Sequence, residues 1–198
     1  MTTRESERLH RPRLGLADGS LYTSNEQGSS VTHWRPAADG GLEMLSTLET
    51  VPDFYPEKTQ INMGAAWLGS GCTAPSEIHM HPRGHTLYTT NRGHDSLACF
   101  SLHPTTGAPS AGLRAPTSHT PQSFRVDSAG RFLYAAGGPS RSGGEQPGLD
   151  WKPDERTWGR ITIFRTMEPH YLEKVAEVEF DEGVGEVLLI DLPIASKL

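Results

Sequence analysis

One short pattern occurs three times and sets the terms for any fold this chain can adopt. Asp18-Gly19-Ser20-Leu21-Tyr22-Thr23-Ser24-Asn25 resembles Pro82-Arg83-Gly84-His85-Thr86-Leu87-Tyr88-Thr89-Thr90-Asn91, and both resemble Ser128-Ala129-Gly130-Arg131-Phe132-Leu133-Tyr134-Ala135-Ala136-Gly137. Each copy is a Gly-containing turn, a Leu-Tyr pair, a run of small or β-branched residues, then Asn or Gly. The segment after each copy repeats as well. Ser30-Val31-Thr32-His33-Trp34, Ser96-Leu97-Ala98-Cys99-Phe100 and Arg160-Ile161-Thr162-Ile163-Phe164 alternate in the manner of strands, and each is followed by a turn and a further short strand at 42–50, 112–117 and 172–180. A strand also precedes the second and third copies, at 76–80 and 122–126.

The unit is therefore four short strands joined by turns, which is the composition of a four-stranded antiparallel propeller blade. The Leu-Tyr pairs begin at residues 21, 87 and 133, and the second interval is close to the ~40–50 residues of one blade. The expected fold class is all-β, a partial β-propeller of about three four-stranded antiparallel blades. The first unit supplies three strands, the next two supply four each, and Gly185–Asp191 supplies one more. Residues 1–15 read as a disordered tail, and 16–193 as one propeller domain with surface insertions at about 53–74 and 138–159. The ring is then open, completed by several chains, or part of a longer protein.

Composition narrows the function. The formal net charge is −6, which argues against nucleic acid as a partner, because a phosphate-backbone binder carries a basic excess. No apolar run approaches the ~18 residues of a membrane span, so no membrane partner is expected. The chain has 21 Gly and 15 Pro, punctuation that suits many short elements and not helical bundles. The start, MTTRESERLHRPR, has no apolar segment of the secretory kind. The two cysteines, Cys72 and Cys99, form no metal or redox spacing. A reducing, cytoplasmic location is the expectation.

At residues 75–137 the sequence becomes specific. PSEIHMHPRGHTLYTTNRGHDSLACFSLHPTTGAPS, followed by TPQSFRVDSAGRFLYAAG, resembles the lactonase family of seven-bladed β-propellers, which includes propeller-type 6-phosphogluconolactonase and the fungal carboxymuconate cyclases. The carriers are Glu77-Ile78-His79, Asn91-Arg92-Gly93-His94-Asp95-Ser96, Thr120-Pro121 and Asp127-Ser128-Ala129-Gly130-Arg131. LYTSNEQGSSVTHWRP resembles an upstream blade, and VAEVEF…GEVLLIDLP resembles the family's closing segment. Because family members run to about twice this length, the likeness is expected to fall on the C-terminal half of the family fold only. In one departure the chain has Gln122 where the family usually carries Arg after Thr-Pro. An Arg there would bind a carboxylate or phosphate in bidentate fashion.

On the strand 76–80, alternate side chains share a face. Glu77 and His79 are expected to point together into the channel, with Ile78 into the blade. A carboxylate and an imidazole on one face can act as general acid and base. The resemblance implies His79 as general base, Glu77 as its orienting partner and Arg92 as the clamp for a substrate anion or developing oxyanion, with His94 and Gln122 near the substrate. The plainer reading makes Glu77 and Arg92 a structural ion pair, with His79 bonded to backbone. Asp95 reads as a cap for backbone N–H groups in its turn. His81 precedes Pro82 and starts the turn that holds His85, so these rings are not expected to converge, and no metal or other cofactor is expected.

The expected activity is hydrolysis of a small lactone of the 6-phosphogluconolactone kind. One alternative is cyclisation of a muconate-type organic acid by the same residues. The other is a non-catalytic propeller fragment that binds or assembles, since an open propeller leaves unpaired sheet edges that invite self-association.

Overall fold

The computed structural model describes residues 9–14, 19–26, 28–51, 73–117, 120–138, 159–168 and 170–180. Twelve strands form three four-stranded antiparallel sheets, each in simple sequential order. The first sheet is β1 (Leu9–Leu14), β2 (Leu21–Asn25), β3 (Ser30–Pro36) and β4 (Leu42–Glu49). The second is β5 (Ile78–Met80), β6 (Thr86–Asn91), β7 (Ser96–Leu102) and β8 (Pro109–Pro116). The third is β9 (Ser123–Val126), β10 (Phe132–Gly137), β11 (Gly159–Met167) and β12 (Tyr171–Phe180). The all-β partial propeller of four-stranded blades is what the chain forms.

The strand inventory differs from the sequence reading in one respect. Leu9–Leu14, read as part of a tail, is β1, which pairs antiparallel with β2 and completes the first sheet. Its sequence, LHRPRL, lacks apolar alternation and contains Pro12. Both are tolerated on an edge strand, where one row of N–H groups needs no ladder partner. The strand expected at Gly185–Asp191 and most of both insertions lie outside the described residues.

Two apolar clusters lie between the sheets. Tyr22 and Val31 of the first sheet pack with Ile78, Leu87, Ala98 and Phe100 of the second. Tyr88, Leu97 and Cys99 of the second pack with Phe124, Leu133, Ala135 and Phe164 of the third. The middle sheet serves both clusters because neighbouring residues on a strand face opposite ways. On β6, Leu87 enters one cluster and Tyr88 the other. The repeated Leu-Tyr pair is thus one apolar group for each neighbouring blade. The Tyr22 hydroxyl is satisfied by donating to Gly107 O at 2.6 Å, across the first interface. Cys99 is a free, buried thiol whose pKa is pushed up to about 12 by burial.

Candidate active site

The backbone at Glu77 is gripped by the next strand. Thr90 N donates to Glu77 O at 3.1 Å, Thr89 Oγ1 donates to the same oxygen at 2.9 Å, and Thr90 Oγ1 accepts from Glu77 N at 3.1 Å. Two threonines in TTN therefore fix the backbone that carries the Glu77 carboxylate, just before β5. Ser76 Oγ donates to Gln122 O at 3.0 Å, which ties the entry to β5 to the entry to β9. That link brings the innermost strands of two blades side by side.

Glu77 and His79 do converge, with His79 Nε2 2.8 Å from Glu77 Oε1. Their side chains are only 6% and 13% exposed. They face the third sheet rather than an open channel, because blades stack face to face and a side chain on either face meets the next sheet. The His79 ring meets Phe124 edge-on at 5.0 Å.

The cation that joins them is Arg125, which the sequence reading did not single out. Its Nη1 lies 2.8 Å from His79 Nε2 and 3.4 Å from Glu77 Oε1, and donates to Phe124 O at 2.7 Å. A neutral Nε2 can accept from Arg125, and a protonated one can donate to Glu77, so the imidazole has a partner in either state. A signal for Arg125 existed in the repeat. His79 sits opposite Tyr88 on the ladder, and Arg125 sits opposite Tyr134. Arg13 of β1 holds the same register opposite Tyr22. Aligning the units by their tyrosines would have marked this inner-strand position.

Arg92 does not join the group. Its Nη2 pairs with Glu26 of the first sheet, and its Nε donates to Ala74 O at 3.2 Å, beside an isolated bridge between Ala74 and Arg92. This guanidinium holds two blades together at the rim. The residue pairing suspected for Glu77 and Arg92 is thus split, each having a different partner. His94 Nδ1 is 2.8 Å from Ser96 Oγ in the rim turn. Burial, and the nearby Arg114 charge, hold the His94 pKa below its usual value. Asp95 was expected to cap N–H groups of its own turn; its Oδ1 instead accepts from Thr120 N at 2.8 Å, 25 residues along the chain and just before β9. Gln122 is anchored by its backbone, its N donating to Ala136 O at 2.9 Å.

His81 and His85 do come together, against expectation, with ring centroids 4.3 Å apart and nearly parallel. The turn after Pro82 is tight enough to fold His85 back over His81. Among the described residues, no group of three or more His, Cys, Asp or Glu is placed to hold a metal ion.

With this geometry in place, comparison with known proteins decides the family. A family model described as "Lactonase, 7-bladed beta-propeller" matches residues 16–142. The chain belongs to this lactonase family. A 6-phosphogluconolactonase of Pectobacterium carotovorum subsp. carotovorum (strain PC1) is 30% identical over 121 residues, covering 61% of this chain and 32% of that protein. The periplasmic gluconolactonase of Pseudomonas aeruginosa superposes with a TM-score of 0.67 at 16% identity, over 92% of this chain and 43% of its own. A protein from Lactobacillus plantarum gives 0.66 at 17% identity, over 93% and 46%. The matches to curated relatives therefore span about a third of those proteins' length, 31–32%.

These matches correct one expectation. The likeness is not confined to a C-terminal half of the family fold: it runs through nearly the whole chain, first sheet included. The family match ends at residue 142, so the segment VAEVEF…GEVLLIDLP, which resembled the family's closing segment, contributes nothing to it. The physical reason lies in the repeat. Each unit packs only on its neighbours, so its signature identifies a blade without numbering it around a ring.

Proposed function

We propose that this lactonase-family chain hydrolyses a small lactone through His79, Glu77 and Arg125. The observation that carries the proposal is the convergence of a carboxylate, an imidazole and a guanidinium within 3.4 Å at the inner strands of adjacent blades. His79 takes a proton from water as that water attacks the ring carbonyl. Glu77 orients the ring and offsets the positive charge that forms on it. Arg125 faces the oxyanion that develops, the role first assigned to Arg92. The names of the relatives support a sugar-acid lactone as substrate class. Cyclisation of an organic diacid would use the same three groups in the reverse sense.

The test is hydrolysis of gluconolactone and its 6-phosphate by purified protein. His79→Ala should lower kcat/KM by about 100-fold or more, and Arg125→Ala by a similar factor. Arg92→Ala separates the two guanidiniums: a loss confined to stability leaves the oxyanion role with Arg125, and a loss in kcat returns it to Arg92. Activity unchanged by His79→Ala would overturn the assignment.

A second reading is favoured by the outer strands. Leu42, Met44 and Leu45 on β4, and Tyr171, Val175, Val178 and Phe180 on β12, are exposed apolar residues. They suit a non-catalytic module that self-associates. Light scattering after size-exclusion chromatography tests it, and a stable monomer together with lactone turnover would remove it.

A further inference from the structure

A cleft of about 360 Å³ opens where the β5–β6, β9–β10 and β11–β12 turns meet. None of Glu77, His79 and Arg125 lines it. The protein carries −6 overall, yet this cleft is lined by three guanidiniums, those of Arg83, Arg131 and Arg165; Glu168 is the one carboxylate in its lining, and Asp127 and Glu173 pair with two of the arginines from just outside it. Burial and the neighbouring His81, Arg83 and His170 lower the pKa of His85, while Glu168 opposes that shift.

The three turns are fixed to one another. His81 Nδ1 accepts from Arg83 N at 3.1 Å, which leaves Nε2–H to donate to Gly130 O at 2.8 Å. The Thr166 hydroxyl donates to the same Gly130 oxygen, and Thr166 N donates to Arg131 O at 3.0 Å. Gly130 has a φ of +67°, and a Cβ there would stand 2.5 Å from the His81 ring. The cleft is thus built before any ligand arrives, which lowers the ordering cost of binding.

The arginines already have carboxylate partners; the pairs of Arg83 and Arg131 are long, and that of Arg165 is a hydrogen-bonded pair. Arg83 is 3.5 Å from Glu168, Arg131 is 3.7 Å from Asp127, and Arg165 is 3.1 Å from Glu173, with each guanidinium side chain more than half exposed. Exposed pairs of this kind contribute little, about 0–1 kcal/mol. A guanidinium has five donors, so each retains capacity for a second anion.

We propose that this cleft binds a small organic anion, its phosphate or carboxylate held by Arg83, Arg131 and Arg165 and its body resting on Tyr88, Phe132 and Met167. The site is independent of lactone hydrolysis, and its test reads binding alone. Phenyl phosphate, benzoate and phenol are titrated against the full chain by isothermal calorimetry. At least one of the two anions is expected to bind saturably and ten times or more tighter than phenol, and the tighter of the two names the head group. Arg131→Ala and Arg165→Ala should each weaken that anion at least tenfold, while Arg35→Ala, which removes the exposed pair with Glu43 on the first sheet, should leave it unchanged. Circular dichroism of each variant checks that the sheets are retained. No saturable binding of either anion, or equal binding by the wild type and both cleft variants, would overturn the proposal.

Discussion

The second and third sheets share one strand plan but not one fate. On β6, every residue from Thr86 to Asn91 is buried. On β10, the equivalent strand of the third sheet, Leu133 is buried and Tyr134 only partly so. The first sheet mirrors this: Tyr22 is buried and Leu21 is half-buried. The chemistry of the pair is constant, so the difference comes from neighbours. The middle sheet has a blade on both faces, and each outer sheet meets it with one face. The Leu-Tyr signature therefore reports a requirement for two partners.

The largest expected effect sharpens this comparison directly. Leu87→Ala should cost about 2–5 kcal/mol, the usual cost of emptying a filled core position, and Leu21→Ala markedly less. Urea denaturation of the two variants measures the gap, and equal losses would break the link between burial and neighbours. Next comes Gly130→Ala at the junction of the second and third sheets. Its left-handed backbone and the His81 ring give an expected loss of about 1–3 kcal/mol, read in the same assay. Gly40 also has a positive φ, +85°, with open space where a Cβ would go. The loss from Gly40→Ala should be the smaller of the two.

Acidification gives a smaller effect. His85 and His94 both have pKa values lowered by burial in the folded chain. The unfolded chain takes up their protons first, near pH 6.5. Stability is then full above that pH and falls as pH drops toward the lower folded values. A urea midpoint lower at pH 5.5 than at pH 7.5 is expected. His94→Gln should flatten part of that slope, and an unchanged slope would free His94 from the effect. The smallest change is expected from Glu43→Gln on the outer strand β4. Its partner Arg35 is as exposed as it is, so a shift within about 0.5 kcal/mol is expected.

Much of the fold was legible because short-range signals carried it. Turn, Leu-Tyr pair and alternation predicted β6 and β7, and the alternation in 76–80 placed Glu77 and His79 on one face. What could not be read was which face meets what. The two residues were expected to face a channel and instead meet the third sheet, since strand parity fixes sides but not the neighbour on each side. Arg92 was expected as the cation of the site because the family resemblance implied it. The guanidinium that reaches His79 comes from Arg125, 46 positions along the chain from it; the repeat marks its position opposite the blade's tyrosine, but that it approaches His79 follows from how the two blades stack. β1 escaped notice because an innermost edge strand needs neither alternation nor a full ladder.

The double-faced Leu-Tyr pair also bears on how such chains change. A single-core protein that loses a quarter of its length loses part of every contact its centre makes. Here each interface is a local agreement between adjacent units, written in the same two letters every time. Copies can be gained or lost as wholes, and the contacts between the survivors keep their chemistry.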